Sequence, residues 1–445
     1  MNKRTIYTLP KDSEPNGENL KALIDLHQGD ITTFAILESY VDDDPLIQRD
    51  SPNALLAINN FANYITSINI GYLLGNPVDY TDNTDTEKTV VSKLDPIVEN
   101  YTKQNIAELD TDIAEDCSMF GQAFENVFMD EETTATSAKL SVYNTIVVYD
   151  NTFKKNKMFA VYYATKLNAK GEDIKETYDV TVFTKTNTIE GVLAKKAFTE
   201  ESTTPHAFEA VPVIHYMNNR RLKGDYETVI SLIDAYNILQ SDRVIDREKL
   251  VDAILVFYGA RLTEEDQKAL KENRTVGLQD GAKAEYLIKN IDEADSDVLR
   301  KTIGADIHKF SMTPDLTDES FGNSPSGVSL LYKLLPFENN TKTKERLFDV
   351  ALMQRFALYA KIMKKLSKTG GIELQNVKAV FKRSLPNNNV EISEMINNLV
   401  GLVSQETLIG QLDFVTDASA EVNKAKEEAT PVTDPNFGTD NFTKE

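Results

Sequence analysis

Residues 218–367 constrain this chain more than any other stretch. They read as a helix, a small α/β insert, a second helix, a flexible acidic loop, and a long basic helix interrupted by Pro336. Two long helices that leave a body, hold a module at their far end and return describe a stalk. A stalk followed by a flexible loop is mechanical architecture and favours a conduit over an enzyme.

The first helix is expected to start near Gly224-Asp225, where Asp225 is placed to cap free N–H groups of the first turn. Val229, Ile230, Ile233, Tyr236 and Leu239 recur on one helical face. From Asp225 to Leu250 a continuous helix spans about 39 Å at roughly 1.5 Å per residue. That is long for one narrow apolar stripe, although the same periodicity also fits a surface helix of an α-rich domain. Residues 253–259 then read as a strand, and Thr263-Glu264-Glu265-Asp266 caps a short helix through Asn273. Residues 276–281 and 284–289 read as two further strands joined at Asp280-Gly281. This insert of roughly 40 residues is too small to bury a good core alone and has to lean on neighbours.

The second helix is expected over residues 296–312 and ends at Thr313-Pro314. Residues 315–326 hold turn formers, the acids Asp315, Asp318 and Glu319, and no base, so they read as a flexible loop. Ser326 or Ser329 opens the next helix, kinked at Pro336 and running through Leu366. Between residues 342 and 368 it carries Lys342, Lys344, Arg346, Arg355, Lys361, Lys364, Lys365 and Lys368. A basic amphipathic helix also fits a membrane surface or calmodulin. Its continuous stripe of Phe348, Leu352, Phe356, Tyr359, Met363 and Leu366 favours domain core, with the bases paired to acids of the same or the next subunit and some of them open to a DNA-facing role.

Elsewhere the pattern is α+β. Residues 1–18 are polar, with Pro10, Pro15 and Gly17, and read as a flexible N-terminus. Helical patterns cover residues 19–75, ending in a helix over 54–74, and again residues 88–118, with a polar turn region at 81–87. Alternating runs at 140–143, 146–149, 159–163 and 181–183 read as antiparallel strands. Residues 377–381 read as a strand returning to the body, and residues 391–428 as helices. The tail from residue 429 or 430 to 445 has no pattern and reads as disordered.

Chemistry-bearing constellations are missing. There is no Gly-x4-Gly-Lys-Ser/Thr loop, no Gly-x-Ser-x-Gly elbow and no His-Glu-x-x-His. The histidines at 27, 206, 215 and 308 lack metal-ligand spacing. Cys117, the single cysteine, follows Glu115-Asp116, which disfavours a thiolate and leaves no partner for an intrachain disulfide. Asp42-Asp43-Asp44 could face a divalent cation, but adjacent side chains on a loop seldom converge, so a solvated turn is preferred. No catalytic, cofactor or metal residue is therefore assigned. The N-terminus lacks the apolar stretch of a signal peptide. The most apolar run, residues 253–258, is far too short to span a membrane, so no membrane partner is expected. The formal net charge is −22, the reverse of the basic face a DNA binder needs. Simple solubility is the preferred reading, with a pore wall that does not hold a polyanion passing through it as the functional alternative.

Several blocks together resemble the portal proteins of tailed bacteriophages, in the family typical of siphophages infecting Gram-positive bacteria. One runs from Asn59-Asn60 into Gly71-Tyr72-Leu73-Leu74-Gly75-Asn76-Pro77, where such portals carry an Asn-rich helix and a Gly-Tyr-x-x-Gly-x-Pro turn. Others are Phe120-Gly121-Gln122-Ala123-Phe124, residues 211–219 leading into Gly224-Asp225-Tyr226-Glu227 and residues 232–237, and Ser326-Gly327 before the kinked helix. Their order holds from about residue 20 to residue 425.

The resemblance implies a homo-oligomeric ring of about twelve copies at one capsid vertex, within the virion and, during assembly, in the host cytoplasm. It implies a wing (19–223 with the kinked helix and wing return, 327–385), a stem (224–251 and 291–312), a clip (252–290), a tunnel loop (313–326) and a crown (386–428). Double-stranded DNA would pass non-specifically. The partners would be a terminase packaging motor, a head–tail adaptor, and capsid and scaffold proteins. The channel-loop candidates are Asp315, Asp318, Glu319, Phe321, Asn323, Ser324 and Ser326, with Gly327 and Pro336 as hinge and kink. Arg261, Glu264, Glu265, Lys268, Lys271 and Arg274 of the clip would dock motor and adaptor. The competing readings are a virion adaptor or assembly scaffold that passes no DNA, and an enzyme with a novel site.

Overall fold

The β-branched and aromatic alternation after residue 144 folds into a meander. The computed structural model describes residues 4, 6–42, 57–82, 94–131, 133–251, 254–259, 263, 264, 266, 268, 270, 281–287, 293–317, 327–366, 376–383, 389–410, 412, 415 and 418–429. Strands β5 (Thr145–Asp150), β6 (Lys157–Leu167), β7 (Asp173–Phe183), β8 (Asn187–Ala194) and β9 (Ala197–Pro205) pair antiparallel in sequence order. A short first strand, β1 (Tyr7–Leu9), joins the edge parallel to β5, with Tyr7 opposite Val148. The sheet buries one face under helix α1 (Gly17–Val41), where Leu20, Leu23 and Ile24 meet Ile146, Val148, Phe159 and Val180. Asn16 caps that helix, its side chain accepting the N–H of Asn19 at 2.9 Å.

The described part of residues 1–18 is thus not a flexible terminus. Arg4 is buried, donates to the carbonyl of Leu222 and pairs with Glu227 at 3.0 Å. The local polarity that suggested fraying is outweighed by a strand partner some 140 residues away.

A second body layer joins helices α2 (Phe61–Leu74), α3 (Asp95–Lys103) and α4 (Ile106–Phe120) to the sheet β10–β3–β4 (Val213–Met217, Gln122–Met129, Ala135–Leu140). The return strand expected near 377–381 is present as β13 (Val377–Val380) and pairs antiparallel with β2 (Asp79–Asp82). Of the turn region expected over 81–87, Thr81 and Asp82 are therefore strand, and 83–87 lie outside the described residues. Of the strand expected over 140–143, Leu140 ends β4, and residues 141–143 lead into a turn over 142–144. The helix expected from residue 54 begins at Phe61, because Asn60 accepts the N–H of Asn63 at 2.8 Å and stops it there.

Three further elements complete the stalk region: α5 (Ile230–Val251), α6 (Glu293–Ser311) and α7 (Gly327–Lys365). Helix α7 runs unbroken through Pro336. Phe348, Leu352, Phe356, Tyr359 and Met363 of its stripe are buried and Leu366 is partly so, as the periodicity predicts. Its bases find acids within the chain: Lys342 with Glu338 (3.4 Å), Lys344 with Asp225 (2.7 Å) and Lys365 with Glu209 (3.1 Å). Arg355 sits inside the core, its Nε 2.8 Å from Glu125 and its Nη2 on Asp110 and the Tyr216 hydroxyl. Burial opposes that charge, and the two carboxylates more than offset it.

By contacts the chain divides into two compact units, residues 1–323 with 330–384, and residues 324–329 with 385–445. The described residues of the second include helices α8 (Asn389–Leu399), α9 (Gln405–Ile409) and α10 (Ala418–Ala429), with Leu408 and Val422 buried.

Candidate functional site

Two separated sequence blocks meet at the base of the stalk. Gly121 has φ +79°, and a Cβ there would lie 2.3 Å from the Leu222 carbonyl oxygen; one on Gly224 would lie 2.2 Å from that of Met119. Only glycine allows this approach. It carries Asp225 into the body instead of onto a helix end, so the expected cap is not made and α5 starts at Ile230. The Asp225 N–H donates to the Ser118 carbonyl (2.8 Å), and its carboxylate accepts from Ser118 Oγ and Asn218 Nδ2, each at 2.7 Å. Lys344 pairs with it and donates onward to Asn69 Oδ1 at 2.5 Å. Asn69 Nδ2 then donates to Thr313 Oγ1 at 3.0 Å, two residues beyond α6. A cavity of about 20 Å³, room for about one water, lies beside this chain of contacts and is lined by Cys117. Burial, then Asp116 and Asp225, push the Cys117 thiol well above its usual range, so it is no nucleophile.

The outer side of the same root is aromatic. His308 lies edge-on to Phe61 and Tyr64, with ring centres 5.8 and 5.6 Å away. It is 3.2 Å from the Thr313 carbonyl and 3.8 Å from the Asp315 carboxylate. The Tyr64 hydroxyl donates to the Pro314 carbonyl and accepts the Leu316 N–H, both at 3.1 Å. Here α5 and α6 pack on each other through Ile233, Tyr236, Ile303 and Ile307, beside a groove of about 770 Å³ lined by Phe61, Tyr64, Tyr236, Arg300, His308 and Asp315. Of the channel-loop candidates Asp315 is therefore anchored at the root. Asp318, Glu319, Phe321, Asn323, Ser324 and Ser326 lie outside the described residues. Gly327 is the first residue of α7, and Pro336 lies one residue before Phe337, whose ring packs on Tyr72 at 4.6 Å.

At the far end of α5, β11 (Ile254–Tyr258) pairs antiparallel with β12 (Lys283–Leu287). Thr263 and Asp266 form the expected reciprocal cap: Asp266 accepts the Thr263 N–H at 3.0 Å, and Thr263 Oγ1 accepts the Asp266 N–H at 3.2 Å. Glu264 and Lys268 are exposed. Arg261, Glu265, Lys271 and Arg274, and the strand expected over 276–280, lie outside the described residues.

What sequence reading missed is not α2, expected within 54–74, but the place of Asn69 on it. Asn69 falls four residues after Ile65 on a buried face, a polar side chain inside an apolar stripe, and that was the available signal. Among the described residues no group of three or more His, Cys, Asp and Glu side chains is placed to hold a metal ion. No described helix is long and apolar enough to cross a membrane. Asp42 of the acidic triplet ends α1, and Asp43 and Asp44 lie outside the described residues.

The family model described as "Phage portal protein, SPP1 Gp6-like" matches residues 33–432. A portal protein of Bacillus phage SPP1 is 24% identical over 380 residues, covering 80% of this chain and 73% of that protein. A portal protein of Clostridium phage phiCD119 is 22% identical over 412 residues, 88% of each chain.

Proposed function

Because this chain belongs to the phage portal protein family of SPP1 Gp6-like type, we propose that it assembles into a ring of about twelve copies around a DNA channel at one capsid vertex. Such a ring admits DNA during genome packaging, retains it and releases it into a tail. The body and α7 form the wing, α5 and α6 the stem, the β11–β12 module the clip, and α8–α10 the crown.

The observation that carries this reading is the apolar surface left exposed on α6 and α7. Val298 (64% exposed), Leu299 (50%), Phe310 (55%), Tyr332 (73%) and Val350 (59%) lie on α6 and α7 uncovered by the chain itself. Neighbouring copies in a ring cover such residues, and a heterologous contact repeated around an axis closes a ring. The acidic balance of −22 supports a lumen that repels DNA instead of gripping it. The loop after Asp315 then acts by steric and weakly repulsive contact, with Gly327 and Pro336 as its freedom to bend.

The test is native mass spectrometry with negative-stain imaging of the purified full chain. A closed ring with an axial hole is expected. A stable monomer at micromolar concentration would sink the reading, and a compact assembly without a hole would favour a non-conduit adaptor. The exposed clip is the surface for a terminase motor and then a head–tail adaptor. Charge reversal at Glu264 should weaken motor capture in a pull-down while rings persist, and unchanged capture would remove this surface. Nucleotide hydrolysis belongs to the motor, with none above background expected from this chain alone.

A further inference from the structure

The six-stranded sheet carries opposite charge toward its two sides. On the side of β1, residues 151–156 turn the chain from β5 into β6. Asp150 closes this turn: its carboxylate accepts from the Thr152 N–H at 3.1 Å, Thr152 Oγ1 at 2.6 Å and Asn156 Nδ2 at 2.7 Å. Lys155 sits at φ +48° and donates its N–H to the Thr152 carbonyl. Both flanks are fastened to the body. The Asn151 N–H donates to the Leu9 carbonyl, and the Lys157 ammonium donates to the Val213 carbonyl at 2.6 Å and to Gln354 Oε1 at 3.1 Å. A turn so fixed holds Phe153 in solvent, 93% exposed. Lys154 and Lys155 beside it are exposed too. Among the described residues Lys139 and Lys166 are ion-paired and these two are not.

At the other side of the sheet the outermost strand, β9, is acidic. Glu200 and Glu201 are exposed there, with Glu190 on the adjoining β8. None of the three is ion-paired among the described residues; Lys166, whose charge also feels Glu201, pairs with Asp179 at 2.8 Å. Lys195 and Lys196 stand apart, in the turn that leads into β9. The pairing slips between Glu190 and Gly191, and a bulge with charges on it keeps another strand from adding to the edge. Contact at this edge therefore falls to side chains.

A chain of net charge −22 repels copies of itself. A head-to-tail contact joins two different patches, so one basic and one acidic patch satisfy every step of a ring. The turn also borders apolar surface: Gln354, which meets Lys157, lies one helical turn after the exposed Val350 of α7.

We propose that the β5–β6 turn of one copy docks on the β8–β9 edge of the next, Phe153 leaving solvent and Lys154 and Lys155 meeting the next copy's Glu190, Glu200 and Glu201. This rests on the ring reading and names two faces that meet in it. Like faces repel, so the charges also fix the direction in which copies add.

The experiment is a charge swap in the full chain, read by native mass spectrometry as the protein concentration at half assembly. Lys154→Glu with Lys155→Glu, and separately Glu200→Lys with Glu201→Lys, should each raise that concentration by about tenfold or more. Both reversals in one chain should bring it back to within about threefold of wild type. Phe153→Ser should raise it by about tenfold. A second measurement leaves most of the contact in place. Chains carrying Lys154→Cys, mixed with chains carrying Glu200→Cys, should form a disulfide-linked pair that neither gives alone, the native Cys117 being buried. Half assembly unchanged by either reversal overturns the contact, as do reversals that fail to rescue each other while the mixed cysteines stay unlinked. So does a turn that retains duplex DNA while its reversal leaves rings intact. A wild-type chain that forms no ring would instead defeat the portal reading, and the mixed cysteines would still decide the contact.

Discussion

The body around Arg355 and the stalk built from α5 and α6 follow the same amphipathic rule to opposite ends. In the body, α7 buries Phe348, Leu352, Phe356, Tyr359 and Met363 of its stripe, and Arg355 among them meets two carboxylates and a tyrosine. In the stalk, α5 and α6 cover each other near the root through Ile233, Tyr236, Ile303 and Ile307. Farther out Val244, Val298 and Leu299 are 40%, 64% and 50% exposed. One region is finished within a single chain and the other is not. Chain stability and assembly are therefore written in different residues, and mutation can separate them.

The largest effect is expected in the body. Arg355→Met strands Asp110 and Glu125 in the core and should cost about 3–5 kcal/mol, read as a lowered urea midpoint or loss of soluble protein. A loss below about 1 kcal/mol would mean the cluster is hydrated and the contrast is false.

Acid gives the next effect. Burial lowers His27 to about 4 and His215 to about 3. Below the ordinary histidine value near 6.5, the unfolded chain takes up protons that the fold refuses, so stability falls as pH drops from about 6.5 toward 4. For His27 alone this amounts to about 3 kcal/mol by pH 4. Asp116, raised to about 6 by burial, opposes it, because there the fold binds its proton before the unfolded chain does. A shallower acid slope in His27→Phe, followed by thermal unfolding, checks the assignment.

The smallest effect on the chain sharpens the comparison most. Leu299→Asp should change chain stability by no more than about 0.5 kcal/mol yet abolish rings in native mass spectrometry. Rings that survive this change would place the subunit contact elsewhere.

How much of this could be read from the sequence differs along the same lines. The α7 stripe was legible because its period is local. Arg355 was grouped with the basic face, although it lies three residues after Leu352 and four before Tyr359, inside the stripe. The pairing of β1 with β5 and the descent of Asp225 into the body depend on residues about 140 and 107 positions away, which no local pattern encodes. In the candidate site the capping of the clip helix was legible from Thr263 and Asp266. The contacts of α2 with Thr313, Pro314 and Glu338 were not, because these partners come from 240 or more residues downstream.

Arg355 also sets a clock. Its partners Asp110 and Glu125 precede it by 245 and 230 residues. At a ribosome speed of about 5–20 residues per second, the carboxylates wait roughly 10 to 50 s for their cation. Until then the helix that closes the wing does not exist, and the acids stay in water. Helices α5 and α6 and the β11–β12 pair are thus translated before the core around Arg355 can close, so, if the chain assembles as proposed, a nascent chain exposing Val298 and Leu299 still lacks a finished body on which to build a subunit contact.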